Sequence, residues 1–164
     1  MRWIWIDRFL EFESGKRAVA IKNLTLAEEH LHDHFPGYPV MPPSLMIEGM
    51  AQTAGILVGE ARKFQEKVIL AKIRKATIEG TARPGQQLRY EATVEMITDQ
   101  AAQTTGKIYC DGKLLGQVDL MFSHVDQNMS GLSFPEENFV FTEEFKNLLL
   151  AYQLENPSQR NRHA

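Results

Sequence analysis

The sequence predicts an α+β domain in which antiparallel strands gather around one buried helix. Three stretches carry that expectation. Residues 44 to 58 are an almost unbroken apolar run, and residues 67 to 125 change to a period of two with strand-forming side chains. The stretch ahead of the apolar run, HFPGYPVMPP at residues 34 to 43, holds too many prolines and glycines for either element. The apolar residues Leu45, Met46, Ile47, Met50, Ala51, Ala54, Ile56, Leu57 and Val58 do not keep to one stripe. A helix that is apolar nearly all round is a buried helix.

The elements follow in order. FLEFE and RAVAIKNLT read as a hairpin over residues 8 to 25, turned by Ser14-Gly15 with Lys16. Pro36, Pro39, Pro42 and Pro43 forbid regular helix through the next loop, but proline suits a first helical position. The central helix is therefore expected to begin at Pro43 or Ser44, to run to about Val58 and to stop near Gly59. VILAKIRKATIEG, LRYEATVEMIT, QTTGKIYC and KLLGQVDLMFSHV are the candidate strands that follow, with turns at Pro84-Gly85 and Asp111-Gly112. Residues 126 to 138 read as loop. TEEFKNLLLAY reads as a short amphipathic helix capped by Thr142, with Glu143 and Glu144 in its first turn and Phe145, Leu148, Leu149 and Tyr152 on one face. ENPSQRNRHA is expected to be a disordered tail. This divides the chain into a main domain, residues 1–125, and an extension, residues 126–164.

Composition narrows the setting. The 164 residues are 43% hydrophobic and 24% charged, enough for one domain with a real core. The single cysteine, Cys110, leaves no internal disulfide and fits a reducing, cytoplasmic compartment. MRWIWIDRFLEFE lacks the apolar core and cleavage site of a signal peptide, and Glu48 and Gln52 interrupt an apolar run already too short to span a bilayer, so no membrane is expected. A net charge of −3 gives no electrostatic reason to expect nucleic acid.

A carboxylate in an apolar helix must be paired, solvated or protonated. Glu48 and Gln52 stand at i, i+4 and share a face, so the amide is placed to orient the acid. An apolar setting raises a carboxyl pKa and prepares it to act as a general acid. His34, just ahead of the helix, is the matching candidate base. His30, His32 and His34 also alternate, which on a strand would put three imidazoles on one face. A zinc site there is poorly supported, because no cysteine or carboxylate stands at ligand spacing.

HFPGYPVMP followed by LMIEGMAQTAGI resembles the (3R)-hydroxyacyl-acyl-carrier-protein dehydratases of the FabZ and FabA type. The likeness extends through DRFLEFESGKRAVAIKNLT and KIRKATIEGTARPGQQLRYEATVEM, over roughly residues 7 to 125. It implies the hotdog fold, a curved antiparallel sheet wrapped around a long central helix. It implies dehydration of a (3R)-3-hydroxyacyl chain on acyl carrier protein to the trans-2-enoyl product, in fatty-acid or related polyketide-type synthesis. His34 takes the place of the base at C2, Glu48 that of the acid at the 3-hydroxyl, and Gln52 that of the glutamine that braces it. Glu rather than Asp at the acid position is similar to the FabZ branch. A homodimer with sites shared between subunits is implied; no cofactor or metal is. His34 must then be neutral and Glu48 largely protonated at working pH.

The chain departs from the family pattern at Pro43, where a glycine N–H is expected to polarise the thioester carbonyl. Proline has no N–H, so the N–H or hydroxyl of Ser44 is the expected substitute. The alternatives are a hotdog acyl thioesterase and a catalytically weak acyl-thioester-binding subunit, the latter because of Pro43. Asp33 and Gln86 are smaller departures. Tyr38, Met41 and Met50 are candidates for the acyl tunnel, and Arg62, Lys63, Lys67, Arg74 and Lys75 for docking an acidic carrier. The C-terminal helix is expected to cover an exposed face of the sheet; a lid over the acyl tunnel is the other reading.

Overall fold

The computed structural model describes residues 3–125, 135, 138 and 140–157. Its elements are β1 (Arg8–Glu13), β2 (Arg17–Asn23), α1 (His30–Asp33), α2 (Pro43–Ala61), β3 (Val68–Ile78), β4 (Gln87–Ile97), β5 (Ala101–Cys110), β6 (Lys113–His124) and α3 (Glu143–Glu155). The six strands form one sheet in the order β1-β2-β4-β5-β6-β3, every neighbouring pair antiparallel. Bulges in β1, β3 and β4 curve it, and it wraps α2 in the hotdog arrangement.

Period-two patterning works as the sequence suggested. Leu88, Tyr90 and Ala92 of β4, Ala102, Thr104 and Ile108 of β5, and Val118, Leu120 and Phe122 of β6 all point inward and are buried. On α2, Met46 and every residue from Gly49 to Gly59 is buried. Helix and sheet approach closely where one side lacks a Cβ. The Tyr90 ring lies where a Cβ on Gly49 would sit, only 2.6 Å away, and the Met50 sulfur occupies the equivalent space at Gly106, 2.3 Å from an ideal Cβ. The β5–β6 hairpin turns on Asp111 and Gly112, at φ of 46° and 81°, as their sequence predicts.

Four details differ from expectation. Helix α2 continues past Gly59 to Ala61 and ends where Lys63 and Phe64 both take a φ of 54°. Gly59 serves packing instead: the ring of Phe141 lies 2.3 Å from where its Cβ would be. Residues 30 to 33 form a helical turn, so the three histidines do not line a strand face. His30 packs edge-on against Trp5, the His32 ring bonds the Leu26 carbonyl, and His34 bonds Val40. Thr142 holds the N-cap position of α3 without a side-chain cap bond. Asn138 instead orders the residues leading into the helix, its Oδ1 accepting the N–H groups of Val140 and Phe141.

Helix α3 packs on β1, with Leu149 and Tyr152 buried and Phe145 and Leu148 half-buried. The Phe12 N–H donates to the Tyr152 hydroxyl at 3.2 Å. Of the expected loop over 126–138, only residues 135 and 138 fall within the described residues; the tail beyond residue 157 falls outside them.

Alanine normally stabilises a helix interior relative to glycine by about 1 kcal/mol. Gly49→Ala is expected to do the opposite, because the new methyl overlaps the buried Tyr90 ring, and overpacking costs ~1–3 kcal/mol. Urea unfolding checks this; a stability gain would show that the ring yields.

Candidate active site

The loop between α1 and α2 has few donors, because Pro36, Pro39, Pro42 and Pro43 carry no N–H. Those that remain fix its shape. The Phe35 and Tyr38 N–H groups each donate to the other's carbonyl, Val40 N–H donates to His34 O, and Met41 N–H donates to Ala82 O. His34 closes the same ring from its side chain: Nδ1–H donates to the Val40 carbonyl at 2.8 Å. A carbonyl can only accept, so Nδ1 carries a proton, and in the neutral imidazole the lone pair is on Nε2. The imidazole is half-buried and stacks on Phe35, with ring centroids 4.3 Å apart.

Pro42 and Pro43 start α2. In its first turn, Leu45 and Met46 both donate to the Pro42 carbonyl. Pro43 has no N–H, and the Ser44 N–H makes no hydrogen bond among the described residues. Ser44 is exposed, so a free donor stands one residue after the proline, at the positive end of the helix dipole.

Glu48 is half-buried one turn further along. Gln52 Nε2 donates to its Oε1 at 2.9 Å. The same amide donates to the Trp3 carbonyl at 3.0 Å, and Gln52 Oε1 accepts the Trp5 N–H at 2.8 Å. Gln52 thus ties the N-terminal segment across α2 while it holds the acid.

Glu48 opens onto a mostly apolar cleft of about 270 Å³. Trp3, Gly55, Ile56 and Phe122 line it, as do Val140, Phe141 and Phe145 from the C-terminal extension. His34 is not among the residues that line this cleft. The residues expected along an acyl path lie elsewhere too. Met41 and Met50 are each 1% exposed, in the core rather than the cleft: Met50 is turned from α2 onto Gly106 of β5, and Met41 lies in the loop ahead of the helix, its N–H held by Ala82 O. Tyr38 is exposed, with the Arg83 guanidinium 4.2 Å above its ring. Sequence reasoning missed Trp3 and Phe141. The signal available for Trp3 was the unexplained WIWI at the N-terminus.

The FabA-like domain model matches residues 3–119. The 3-hydroxyacyl-[acyl-carrier-protein] dehydratase FabZ of Bacillus pumilus is 37% identical over 74% of this chain and 85% of its own length. That of Clostridioides difficile is 34% identical over 76% and 89%, and that of Koribacter versatilis 40% identical over 66% and 71%. Among solved structures, a hypothetical thioesterase protein with coenzyme A from Streptococcus pneumoniae superposes with a TM-score of 0.58 at 7% identity, over 71% of this chain and 83% of that one. Zebra fish thioesterase superfamily member 2 gives 0.58 at 14% identity, over 71% and 79%. These two likenesses establish the fold.

Gln52→Leu is expected to lower stability by about 1–3 kcal/mol, because it leaves the buried Trp5 N–H without an acceptor. Trp3 and Trp5 are the only two tryptophans, so emission of the folded variant should shift to the red as that segment loosens. Unchanged emission would mean that the segment is held by packing alone.

Proposed function

The chain belongs to the FabA-like family, and from that premise we propose that it dehydrates (3R)-3-hydroxyacyl chains on acyl carrier protein to trans-2-enoyl chains in fatty-acid synthesis. The observation that carries the assignment to particular residues is the Glu48 carboxylate, braced by Gln52 beside an apolar cleft. The reaction needs a base at C2 and an acid at the oxygen on C3. His34 presents Nε2 with its lone pair, since Nδ1–H is held by Val40. That nitrogen removes the C2 proton as the C3–O bond breaks; the C–H electron pair becomes the double bond. Glu48 gives its proton to the departing hydroxyl, which leaves as water. Proton exchange with solvent then resets both groups. General acid and base each contribute typically ~10²–10⁴-fold. The Ser44 N–H polarises the thioester carbonyl in place of the donor that Pro43 lacks.

A homodimer is the working unit on this reading, with His34 and Glu48 of one site drawn from different subunits. Two features support it. His34 does not border the Glu48 cleft of its own chain, and edge strand β3 exposes Leu70 and Ile73, at 37% and 45%. Among the described residues no helix is long and apolar enough to cross a membrane, and we place the enzyme in the cytoplasm. Of the cations proposed to receive an acidic carrier, Lys67 is buried and is unsuited to docking. Lys63 and Lys75 are exposed, while Arg62 bonds Asp99 and Arg74 bonds Gln103.

The decisive assay follows enoyl formation from a (3R)-3-hydroxyacyl carrier-protein substrate. His34→Ala and Glu48→Gln are each expected to lose ~10²–10⁴-fold in kcat. Release of free acid without enoyl product would favour the thioesterase alternative, and a folded native dimer without turnover would overturn the dehydratase reading. Pro43→Gly is expected to leave the rate within about tenfold of native. A rise of ~10²-fold or more, the value of a recovered oxyanion-type donor, would show that Ser44 does not fill the role.

A further inference from the structure

The family match stops at residue 119, yet residues beyond it form part of the Glu48 cleft. Val140, Phe141 and Phe145 line that cleft together with Gly55 and Ile56 of α2. We propose that the C-terminal extension closes the far end of the acyl path, so that Phe141 and Phe145 set the length of chain accepted. The proposal rests on the dehydratase reading for the identity of the ligand.

The helix supplies the ruler. Glu48, Gln52, Gly55 and Gly59 succeed one another at spacings of four, three and four residues, which keeps them on one face of α2. An acyl chain leaving Glu48 along that face passes Gly55 after roughly 10 Å and is stopped by Phe141 short of Gly59, which stands roughly 16 Å from Glu48 at ~1.5 Å per residue. The Phe141 ring fills the place of the missing Cβ there, 2.3 Å from its ideal position, and meets Phe64 edge-on at 5.0 Å.

This end wall is fixed in place. Phe141 is only 4% exposed. Asn138 Nδ2 donates to the carbonyls of Phe64 and Glu66 at 3.0 and 3.1 Å, and its Oδ1 accepts the Val140 and Phe141 N–H groups. One side chain therefore latches the extension to the connection between α2 and β3. Phe145, half-buried on the first turn of α3, completes the apolar surface. A path lined by Trp3, Ile56, Phe122 and these two rings suits a saturated alkyl chain, whose favoured length is the one that reaches Phe141 without displacing it.

The test measures kcat/KM on 3-hydroxyacyl carrier-protein substrates of increasing length for the native chain, Phe145→Ala, Phe141→Leu and Phe145→Trp. A methylene-scale change in an apolar pocket alters discrimination by roughly tenfold or more. The first two variants should raise the long-to-short ratio by at least about that factor, and Phe145→Trp should lower it. A native enzyme that turns over while all three variants keep its length profile would overturn the proposal. A native chain inactive at every length strikes at the dehydratase reading instead. In that case affinity for saturated acyl carrier proteins of graded length, read from the fluorescence of Trp3 in the cleft, decides the question. The same variants must shift that profile in the same directions, and an unshifted profile would overturn the proposal.

Discussion

Every hydrogen-bonding group of the Gln52 side chain meets a different part of the molecule: the Glu48 carboxylate, the Trp3 carbonyl and the Trp5 N–H. A buried carboxamide cannot leave those groups unmet without a cost of the order of a lost hydrogen bond each. The arrangement follows from enclosing α2. Once the sheet covers most of the helix, its polar side chains are confined to the strip the sheet leaves free, where the N-terminal segment crosses. Backbone groups in that segment face a helix rather than a strand, and Gln52 supplies the partners a neighbouring strand would have given. The acid is oriented by the same contacts that hold the fold shut there.

The loop that carries His34 is built on a related scarcity. Four prolines remove four donors between residues 36 and 43, and nearly every remaining N–H closes a bond within the loop or to Ala82. The imidazole is drawn into that ring through Val40, which fixes its tautomer as a by-product of satisfying the backbone. Where the prolines end, the ring closure ends with them, and Ser44 is left with the free N–H.

The strands and α2 were legible because their signals are summed over many residues: period two across β4 to β6, and apolar side chains all round the helix. That second signal also hid the cleft. A helix without a polar face gives no phase, so Met50 and Ile56 look equivalent in the sequence, although one packs on Gly106 and the other lines the cleft. The phase is set by which face the sheet covers, a long-range fact. Gly59 misled for a similar reason. It looked like a helix stop because glycine often is one, while its role depends on Phe141, 82 residues later in the chain. The Glu48–Gln52 pair was legible because i, i+4 spacing on a helix is local.

The two edges of the sheet are treated oppositely, and this bears on the proposed dimer. At β1 the edge is occupied: α3 packs along it, and the Phe12 N–H is bonded by Tyr152. At β3 the strand runs eleven residues with most side chains exposed, two of the larger ones apolar. A long apolar edge left open is an invitation to pair, and chains that must not pair there blunt it with prolines, lysines or a covering element. Here Lys72, Arg74 and Lys75 interrupt β3, but no strand among the described residues pairs with its outer edge. Self-association through β3 rather than β1 is what this asymmetry favours. The same extension that occupies the β1 edge also lines the Glu48 cleft, so blocking one edge and bounding the substrate path are tasks of a single helix and the few residues that lead into it.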